Sequence, residues 1–269
     1  ISTLNNTHSE IIIKAAVAKK NILCEKPIAT NYQDTIKIFE TLNKSSVFFL
    51  EAIAYRSHEQ TKFVINKIKE NEIGDLQSIE STFGFNTKRI NPKSRLYNPK
   101  LGGGAILDVG CYPVSFSNLL ANLNQTNISD PEILNVSGSI CKTGVDDIAY
   151  ASLVFNKKIT AKVAAAIRLQ MDNKTLINGS KGSILIYSPW LPSKKSMIEI
   201  NLKGRSYKSF INSELDIFGS QINNVNRCIL DGKKEADFPA MRWKDTIKNM
   251  LVIDKWKEKL FKVNNEKKY

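Results

Sequence analysis

Two short apolar runs, separated by an amphipathic helix, constrain the fold of this chain more than any other feature. Residues 21–24 and 47–50 are each too short for a helix and are bounded by turn-forming residues. Between them, Ile36, Phe39 and Leu42 recur at helical spacing on one face. Short apolar strands that alternate with amphipathic helices are typical of a parallel sheet covered by helices on both sides. We therefore expect the first part of the chain to be α/β, part of a doubly wound domain.

The pattern changes near residue 76, where alternation of apolar and polar residues replaces helical spacing. Residues 76–87 are expected to form a strand, and the period is mostly two from 132 to about 209. Turn-forming residues at 156–158 and 178–179 separate successive runs. Strands joined by such short connections pair antiparallel. The sequence therefore predicts an α+β region with a large, mostly antiparallel open sheet.

Helices are expected in both regions. The predicted helical segments are 7–20, a segment that opens within 30–33, 59–72, 103–121, 213–231 and 240–261. Capping boxes at 7–10 and 30–33 mark the first two starts. Gly74 fits the position just after the end of the helix predicted at 59–72.

Charge and cysteine usage exclude several classes of protein. The chain has 269 residues, of which 39 are basic and 26 acidic, so its net charge is +13. The lysines are spread along the chain instead of clustered, so we expect no nucleic-acid partner. No apolar run reaches the roughly 18 residues of a membrane span. Four scattered cysteines without a CxxC pair argue against a disulfide framework and a zinc site. No signal peptide is recognisable, so we expect a cytoplasmic protein.

Four clusters of polar residues and glycines mark candidate functional positions. They lie at residues 2–8, 24–27, 51–56 and 102–113. The first three follow apparent strands, and the fourth opens the helix predicted from 103. Open α/β sheets bind ligands at the carboxyl ends of their parallel strands, so the first three clusters fall where a ligand is expected.

Each cluster also has a purely structural interpretation. Asn5 and His8 fit turn or capping positions, and Lys26 fits a surface loop. Asp108 and Tyr112 share a helix face, as an ordinary surface pair would. The three glycines ahead of them could simply give a flexible start to the helix, and they do not form a dinucleotide-binding fingerprint.

Taken together, the four clusters resemble the sequence signature of the Gfo/Idh/MocA family of oxidoreductases. The matching residues are Thr3-Leu4-Asn5-Asn6-Thr7-His8 for TPNxxH, Glu25-Lys26-Pro27 for EKP, Glu51-Ala52 with Arg56 for a strand end, and 102–112 for GGGAxxDxGxY. The resemblance covers essentially the whole chain. Tyrosine instead of histidine at position 112 points toward the subgroup that resembles dimeric dihydrodiol dehydrogenase and D-xylose dehydrogenase.

The resemblance implies hydride transfer between a nicotinamide cofactor, NAD or NADP, and a hydroxyl or carbonyl carbon of a sugar, polyol or trans-diol. It implies Tyr112 as the acid/base and Lys26 as the cation that lowers the pKa of Tyr112 and holds the substrate hydroxyl. Asp108 would bind a substrate hydroxyl or orient Lys26. The Lys26–Pro27 peptide bond is expected to be cis, as in relatives.

The resemblance also implies a cofactor side and an oligomer. Residues implied on the cofactor side are Thr3, Asn5, His8, Glu25, Lys26 and Arg56. No metal is implied. Relatives commonly associate into homo-oligomers, dimers or tetramers, through the face of the antiparallel sheet that lies away from the substrate pocket. Val163 and Ala165 fit such an interface and fit a plain core equally well.

The sequence departs from the family pattern at its beginning. The family starts with a strand, a GxGxxG turn and a helix that hold the cofactor pyrophosphate, and none of these precedes Ile1. We therefore expect a chain that lacks roughly 60–70 residues and binds nicotinamide cofactor poorly. Residues 1–55 would then be the second half of a Rossmann domain. Residues 56–240 would form a substrate and oligomerisation domain, and 241–269 a C-terminal helix and tail. A non-catalytic binding or regulatory member of the same fold is the alternative.

Overall fold

A computed structural model of the chain describes residues 1–123 and 130–266. Its first helices and strands are α1 His8–Val17, β1 Ile22–Glu25, α2 Tyr32–Asn43 and β2 Phe49–Ala52. β1 and β2 pair in parallel, with Cys24 opposite Glu51. Ile1 extends this sheet, because its amino group donates to the Leu23 carbonyl at 2.7 Å. The predicted parallel α/β layer is confirmed.

A 3-10 turn and one helix connect this layer to a large second sheet. The turn is Ala54–Ser57 and the helix is α3 Glu59–Lys69. The strands of the second sheet are β3 Leu76–Gly84, β4 Glu132–Ile140, β5 Asp146–Phe155, β6 Ile159–Ala166, β7 Thr175–Gly179, β8 Gly182–Ile186, β9 Lys195–Leu202 and β10 Arg205–Asn212. Their order is β10-β9-β8-β7-β3-β6-β5-β4. Only β3 and β6 pair in parallel among these neighbours, so the predicted mostly antiparallel sheet is also confirmed.

Helices cover one face of the large sheet. They are α4 Cys111–Ala121 and α6 Trp243–Glu266, and a short π-helix, Ile106–Gly110, leads into α4. Helix α5 Ile217–Leu230 packs instead against the 3-10 turn at 54–57. The opposite face of the sheet, called here the uncovered face, carries the exposed Tyr150 and Phe210. The long helix α6 contacts α2 and β2 on one side and α4, β4 and β5 on the other. Its Trp256 is fully buried and donates its ring N–H to the Tyr150 carbonyl at 3.2 Å. α6 therefore joins the two sheets into one packed molecule.

Strand β6 carries the two residues that fit a core and an oligomer interface equally well by sequence. Val163 and Ala165 are 2% and 0% exposed. A side chain at Gly110 would lie 3.3 Å from the Ala165 methyl group and 3.0 Å from the Trp256 ring, so this face of β6 packs on helices. Both residues belong to the core and not to the uncovered face.

Local details differ from the sequence-based expectations at helix ends. The Thr7 hydroxyl bonds to Thr3 and the Leu4 carbonyl instead of capping α1, so the first predicted capping box is wrong. In α2 the cap is Asn31, whose side chain accepts from the Asp34 amide at 2.9 Å. After α3 the first left-handed residue is Asn71, at φ 57°.

The predicted helix 103–121 starts later than expected and has two parts. Its first turn is the π-helix, and regular α-helix begins only at Cys111. Within the described ranges, no helix combines the length and apolar character that crossing a membrane requires.

Candidate active site

Lys26 lies in the turn that follows β1, at the carboxyl end of the parallel sheet. Its peptide bond to Pro27 is cis, as predicted. The ammonium nitrogen Nζ donates to the Asp108 carbonyl at 2.5 Å and lies 3.4 Å from Asp108 Oδ1. It also lies 5.3 Å from the centre of the Tyr112 ring. The structure thus brings together the three residues predicted as catalytic, although Asp108 and Lys26 are separated by 82 positions in sequence.

The Asp108 carboxylate is shared between two cations. Oδ1 accepts a hydrogen bond from Arg95 Nη1 at 2.7 Å in addition to its contact with Lys26. Burial by itself would raise the pKa of Asp108, but the charges of Lys26 and Arg95 outweigh burial and hold it below its usual value. Burial would likewise lower the pKa of Lys26, and the charge of Asp108 outweighs it, so the pKa of Lys26 is raised. Lys26 is therefore an ammonium ion and Asp108 a carboxylate at neutral pH.

Tyr112 stands in an aromatic cluster that leaves its hydroxyl group free. Its ring packs edge-on to Phe83 at 5.1 Å and contacts Tyr55 and Trp190 at 6.0 and 6.1 Å between ring centres. Among the residues that the structure describes, hydrogen bonds reach the Tyr112 carbonyl and none reaches its hydroxyl. A half-buried phenol without a partner beside an ammonium ion is available to a ligand.

The predicted effect of Lys26 on Tyr112 needs correction. The ammonium charge does act to lower the pKa of Tyr112. Burial of the phenol is the larger effect, however, and raises the pKa above its ordinary value near 10. In this structure Tyr112 therefore holds its proton more tightly than a free tyrosine.

The glycines before the π-helix are required by close approaches. Gly102 has φ +76°, and a Cβ there would lie 2.6 Å from Thr30 and 2.9 Å from Asn5. Asn5 Nδ2 donates to the Gly102 carbonyl at 2.9 Å. Gly104 has φ +119°, and its Cβ would collide with Asp146 Oδ1 at 2.2 Å. These glycines therefore allow the segment that carries Asp108 to approach both the first sheet and β5.

Three residues predicted on the cofactor side border the Lys26–Pro27 turn. His8 is fully buried, with Nδ1 2.9 Å from the Pro27 carbonyl and Nε2 3.2 Å from the Thr3 carbonyl. Glu25 is half-buried, and its carboxylate accepts the Lys26 amide hydrogen at 3.2 Å. His8 and Glu25 thus contact the turn that presents Lys26, and Thr3 is joined to that turn through His8.

Arg56 lies elsewhere. It is 1% exposed, and its guanidinium donates to the Pro239 carbonyl at 2.5 Å and the Ser115 carbonyl at 3.2 Å. A third contact, of 3.4 Å, pairs it with Asp245. These contacts tie the end of β2 to α4 and α6. The structure does not bring Arg56 to Lys26, and its part in cofactor binding stays a prediction.

Three charged residues of this region were not predicted as site residues. Arg95 was missed because a half-exposed arginine in a Lys-rich loop looks like any surface cation. Glu51 and Asp146 are buried carboxyls behind the site. Glu51 was part of the strand-end motif at 51–56, but the resemblance assigned it no role. The only sequence signal of Asp146 is an acidic residue at the edge of an apolar strand, which does not reveal what its carboxyl group binds.

Comparison with known proteins links both regions to one family. Residues 1–52 match a family profile described as an oxidoreductase family with an NAD-binding Rossmann fold. Residues 63–185 match the GFO/IDH/MocA C-terminal domain. Together the two profiles account for most of both regions.

Curated relatives extend this similarity over nearly the whole chain. Trans-1,2-dihydrobenzene-1,2-diol dehydrogenase of Xenopus tropicalis is 29% identical over 261 residues, covering 94% of this chain and 75% of the relative. The enzyme of that name from Danio rerio is 27% identical over 242 residues, or 88% of this chain and 70% of the relative. The chain thus spans about three quarters of the length of these relatives.

Solved structures share the fold. A point mutant of KijD10, a 3-ketoreductase from Actinomadura kijaniata crystallised with TDP-benzene and NADP, superimposes with a TM-score of 0.82 at 21% identity. That match covers 94% of this chain and 75% of the other. The aldose-aldose oxidoreductase from Caulobacter crescentus gives a TM-score of 0.82 at 23% identity, covering 94% and 73% of the two chains.

Proposed function

Since the chain belongs to the Gfo/Idh/MocA family of oxidoreductases, we propose that it is an NAD(P)-dependent dehydrogenase acting on a CH–OH group of a sugar, polyol or diol. The cluster of Lys26, Asp108 and Tyr112 carries this proposal. It combines a fixed ammonium ion with a phenol whose hydroxyl has no protein partner in the described structure. The cluster lies where parallel strands end, which is the usual ligand-binding edge of such sheets.

The residues around Lys26 fit the nicotinamide end of the cofactor. Thr3 is exposed and Glu25 half-buried, so polar atoms face outward beside the Lys26–Pro27 turn. Thr3, Asn5, Glu25 and Lys26 would hold the cofactor there. When bound, it supplies or accepts the hydride. The choice between NAD and NADP, and a cytoplasmic location, belong to the proposal only as expectations from the sequence.

The chain's own residues would handle the proton. In the reducing direction Tyr112 donates its proton to the substrate oxygen, and in the oxidising direction it accepts one. Lys26 places a positive charge beside that oxygen and stabilises the negative charge that develops on it. Asp108 keeps Lys26 charged and fixes its position, while Arg95 prevents Asp108 from competing for the proton.

The uncovered face of the large sheet is, we infer, where homo-oligomers form. Tyr150 pairs with Ala164 on that face and is 40% exposed, while Ala149 and Ala151 on either side of Tyr150 point into the core. Phe210 on β10 is 76% exposed. Apolar side chains on a sheet face without helices are typical of an interface.

Turnover of a small panel of substrates tests the proposed activity. The protein, expressed from its complete coding sequence, is mixed with NAD⁺ or NADP⁺ and a set of sugars, polyols and trans-diols, and reduced nicotinamide is followed by absorbance. We expect one of these classes to be oxidised, and Lys26→Met to lower kcat by about 10²–10³-fold. Lys37→Met is the matched control, because Lys37 is exposed and pairs with Asp34 within its own helix. Cofactor binding without turnover of any substrate would favour the non-catalytic alternative.

A further inference from the structure

Two buried carboxyl groups lie directly behind the candidate active site. Glu51 on β2 is 1% exposed, and Asp146 at the start of β5 is 0% exposed. They come from different sheets. Each accepts a hydrogen bond from one backbone N–H in a segment that carries a predicted catalytic residue.

Glu51 holds the turn that presents Lys26. Its Oε1 accepts the Ile28 amide hydrogen at 3.0 Å, and Ile28 comes immediately after the cis Lys26–Pro27 unit. Its Oε2 is buried and faces the Thr246 hydroxyl without a well-formed hydrogen bond. Since β1 and β2 place Cys24 beside Glu51, the carboxyl group connects the strand pair to the turn that leaves it.

Asp146 holds the start of the π-helix that carries Asp108. Its Oδ2 accepts the Ile106 amide hydrogen at 2.7 Å, two residues before Asp108. Its Oδ1 is buried without a hydrogen-bond partner among the described residues and occupies the space that a side chain at Gly104 would need. The carboxyl group therefore lies directly against the Gly104 backbone, where only glycine leaves enough space.

Burial raises the pKa of both carboxyl groups, and the groups around them only partly oppose this rise. Burial raises the pKa of Glu51 to about 7, opposed by the Ile28 amide, Thr246, Arg56 and Lys26. Burial likewise raises the pKa of Asp146 to about 7, opposed by the Ile106 amide and by Lys257 of α6, while Asp147 adds to the rise. A neutral hydroxyl or amide side chain could accept one N–H without the desolvation cost of a carboxylate. Each position therefore needs an acceptor oxygen for its backbone N–H, and the proposed role depends on that oxygen and not on a negative charge.

We propose that Glu51 and Asp146 are positioning residues of the active site, which together fix the distance between Lys26 and Asp108. Glu51 anchors the Lys26 turn to the first sheet, and Asp146 anchors the Asp108 segment to the second. The expected effect of these two residues on catalysis rests on the proposed function, whereas their effect on the distance between Lys26 and Asp108 does not. Loosening either anchor changes the contact between Lys26 Nζ and Asp108 that keeps the lysine charged and enclosed.

Amide hydrogen exchange measured by NMR tests each anchor separately. In Glu51→Ala we expect exchange of the Ile28 amide to accelerate at least about tenfold, with Ile106 unchanged, and in Asp146→Ala the reverse. Glu51→Gln and Asp146→Asn keep an acceptor oxygen and should restore slow exchange. Asp147→Asn is the matched control: Asp147 is also buried on β5, but it bonds to Ser139 and Arg168. Unchanged exchange in the alanine variants, or the same acceleration in Asp147→Asn, would overturn the proposal.

The extent of Lys26 acylation shows whether loosening an anchor exposes this lysine, and the measurement needs neither substrate nor cofactor. Lys26 is only 14% exposed, whereas Lys37 is 64% exposed and serves as an internal reference. Glu51→Ala and Asp146→Ala should each increase the labelling of Lys26 relative to Lys37, as measured by peptide mass spectrometry, and the amide variants should not. A merely structural role would leave the Lys26 to Lys37 ratio unchanged in the folded variants, and that result would overturn the proposal.

Kinetics and a pH titration complete the test. We expect the alanine variants to lose kcat about tenfold or more, with the amide variants close to wild type. If no form turns over substrate while exchange and labelling respond as expected, the positioning role is supported and only the proposed activity fails. Should an alanine variant not fold, the wild-type amide proton shifts of Ile28 and Ile106 are followed across neutral pH. Glu51→Gln should abolish the titration at Ile28, and Asp146→Asn that at Ile106; an unchanged titration overturns the assignment.

Discussion

The carboxylate of Asp108 contacts two cations, and this arrangement keeps Asp108 negatively charged and Lys26 positively charged. Lys26 and Arg95 both approach Oδ1, at 3.4 and 2.7 Å. Asp108 is thus too strongly stabilised as an anion to serve as a base. Lys26 is likewise too strongly stabilised as a cation to give up its proton. Tyr112 is left as the group of this cluster that can exchange a proton with a ligand.

Removal of the Tyr112 hydroxyl should separate catalysis from stability. In Tyr112→Phe we expect kcat to fall about 10²–10⁴-fold, because the proton donor and acceptor is lost. The free energy of unfolding should change by less than about 1 kcal/mol, since the hydroxyl has no partner in the described structure. Steady-state kinetics and chemical unfolding measure the two effects. Tyr187→Phe is the control, because Tyr187 donates to Glu199 on the exposed sheet; equal loss of kcat in both variants would contradict the role of Tyr112.

The raised pKa of Tyr112 predicts opposite pH dependences for the two reaction directions. A phenol that keeps its proton at neutral pH is ready to donate it, so carbonyl reduction should be fastest near or below neutrality and alcohol oxidation should rise with pH. The positive charge of Lys26 opposes this rise in the pKa of Tyr112, so removal of the charge should raise the pKa further. Lys26→Arg keeps the positive charge and should leave the rising limb of the oxidation rate near its wild-type pH. Lys26→Met removes the charge and should move the rising limb of its residual oxidation rate to higher pH. Initial rates across the alkaline range measure the shift, and a limb that stays in place would argue against Tyr112 as the titrating group.

At the scale of elements, the start of the π-helix depends both on a nearby glycine, Gly104, and on a contact with Asp146 of β5. The Gly104→Ala variant should lose about 3 kcal/mol of unfolding free energy, because its φ of +119° and the approach of Asp146 Oδ1 both oppose a side chain. Gly144→Ala has a similar φ of +88° but no atom within 4 Å, and it should lose only about 1 kcal/mol. Denaturant unfolding of both variants checks the difference, and equal losses would mean that strain alone explains the glycine.

The burial of Asp146 predicts a pH-dependent cost in stability. Its pKa rises on folding from 3.8 to about 7, so its contribution is fully present below pH 3.8 and is lost as pH rises toward 7. Asp146→Asn cannot ionise. Relative to wild type it should therefore gain stability across that window, by as much as about 4 kcal/mol, and keep a constant difference above pH 7. Chemical unfolding at several pH values measures the difference, which a pH-independent gap would contradict.

The elements themselves could be predicted from the sequence far better than their ends. The parallel pair β1 and β2 and the alternating strands β4 to β10 follow from periodicity, which depends on burial of one or both faces. The late start of the helix at Ile106 could not be predicted, because it depends on Asp146, 40 residues away. In the site, Lys26, Asp108 and Tyr112 followed from the family resemblance. Arg95 could not be found, since nothing in a loop sequence reveals which cation reaches a distant carboxylate.

For the whole molecule, the uncovered sheet face predicts self-association. Tyr150→Lys places a charge on that face, on the strand next to the edge strand β4. It should shift the protein toward smaller species, as measured by light scattering during size-exclusion chromatography. Leu230→Lys is the control, because Leu230 is 87% exposed but lies on α5, away from this face. A wild-type monomer, or equal dissociation in both variants, would contradict the interface.

The contact between Asn5 and the Gly102 carbonyl has a consequence for how members of this family can exchange parts. Lys26 comes from the segment before this junction, and Asp108 and Tyr112 come from the segment after it. A hybrid gene joined between β2 and β3 would inherit its lysine from one parent and its tyrosine from the other. Such a recombinant would place the two groups correctly only if the parental side chains at positions 5 and 30 still fit against the backbone at position 102. This contact, together with those that α6 and Arg56 make across the same join, would therefore limit which hybrids of related sequences keep the site intact.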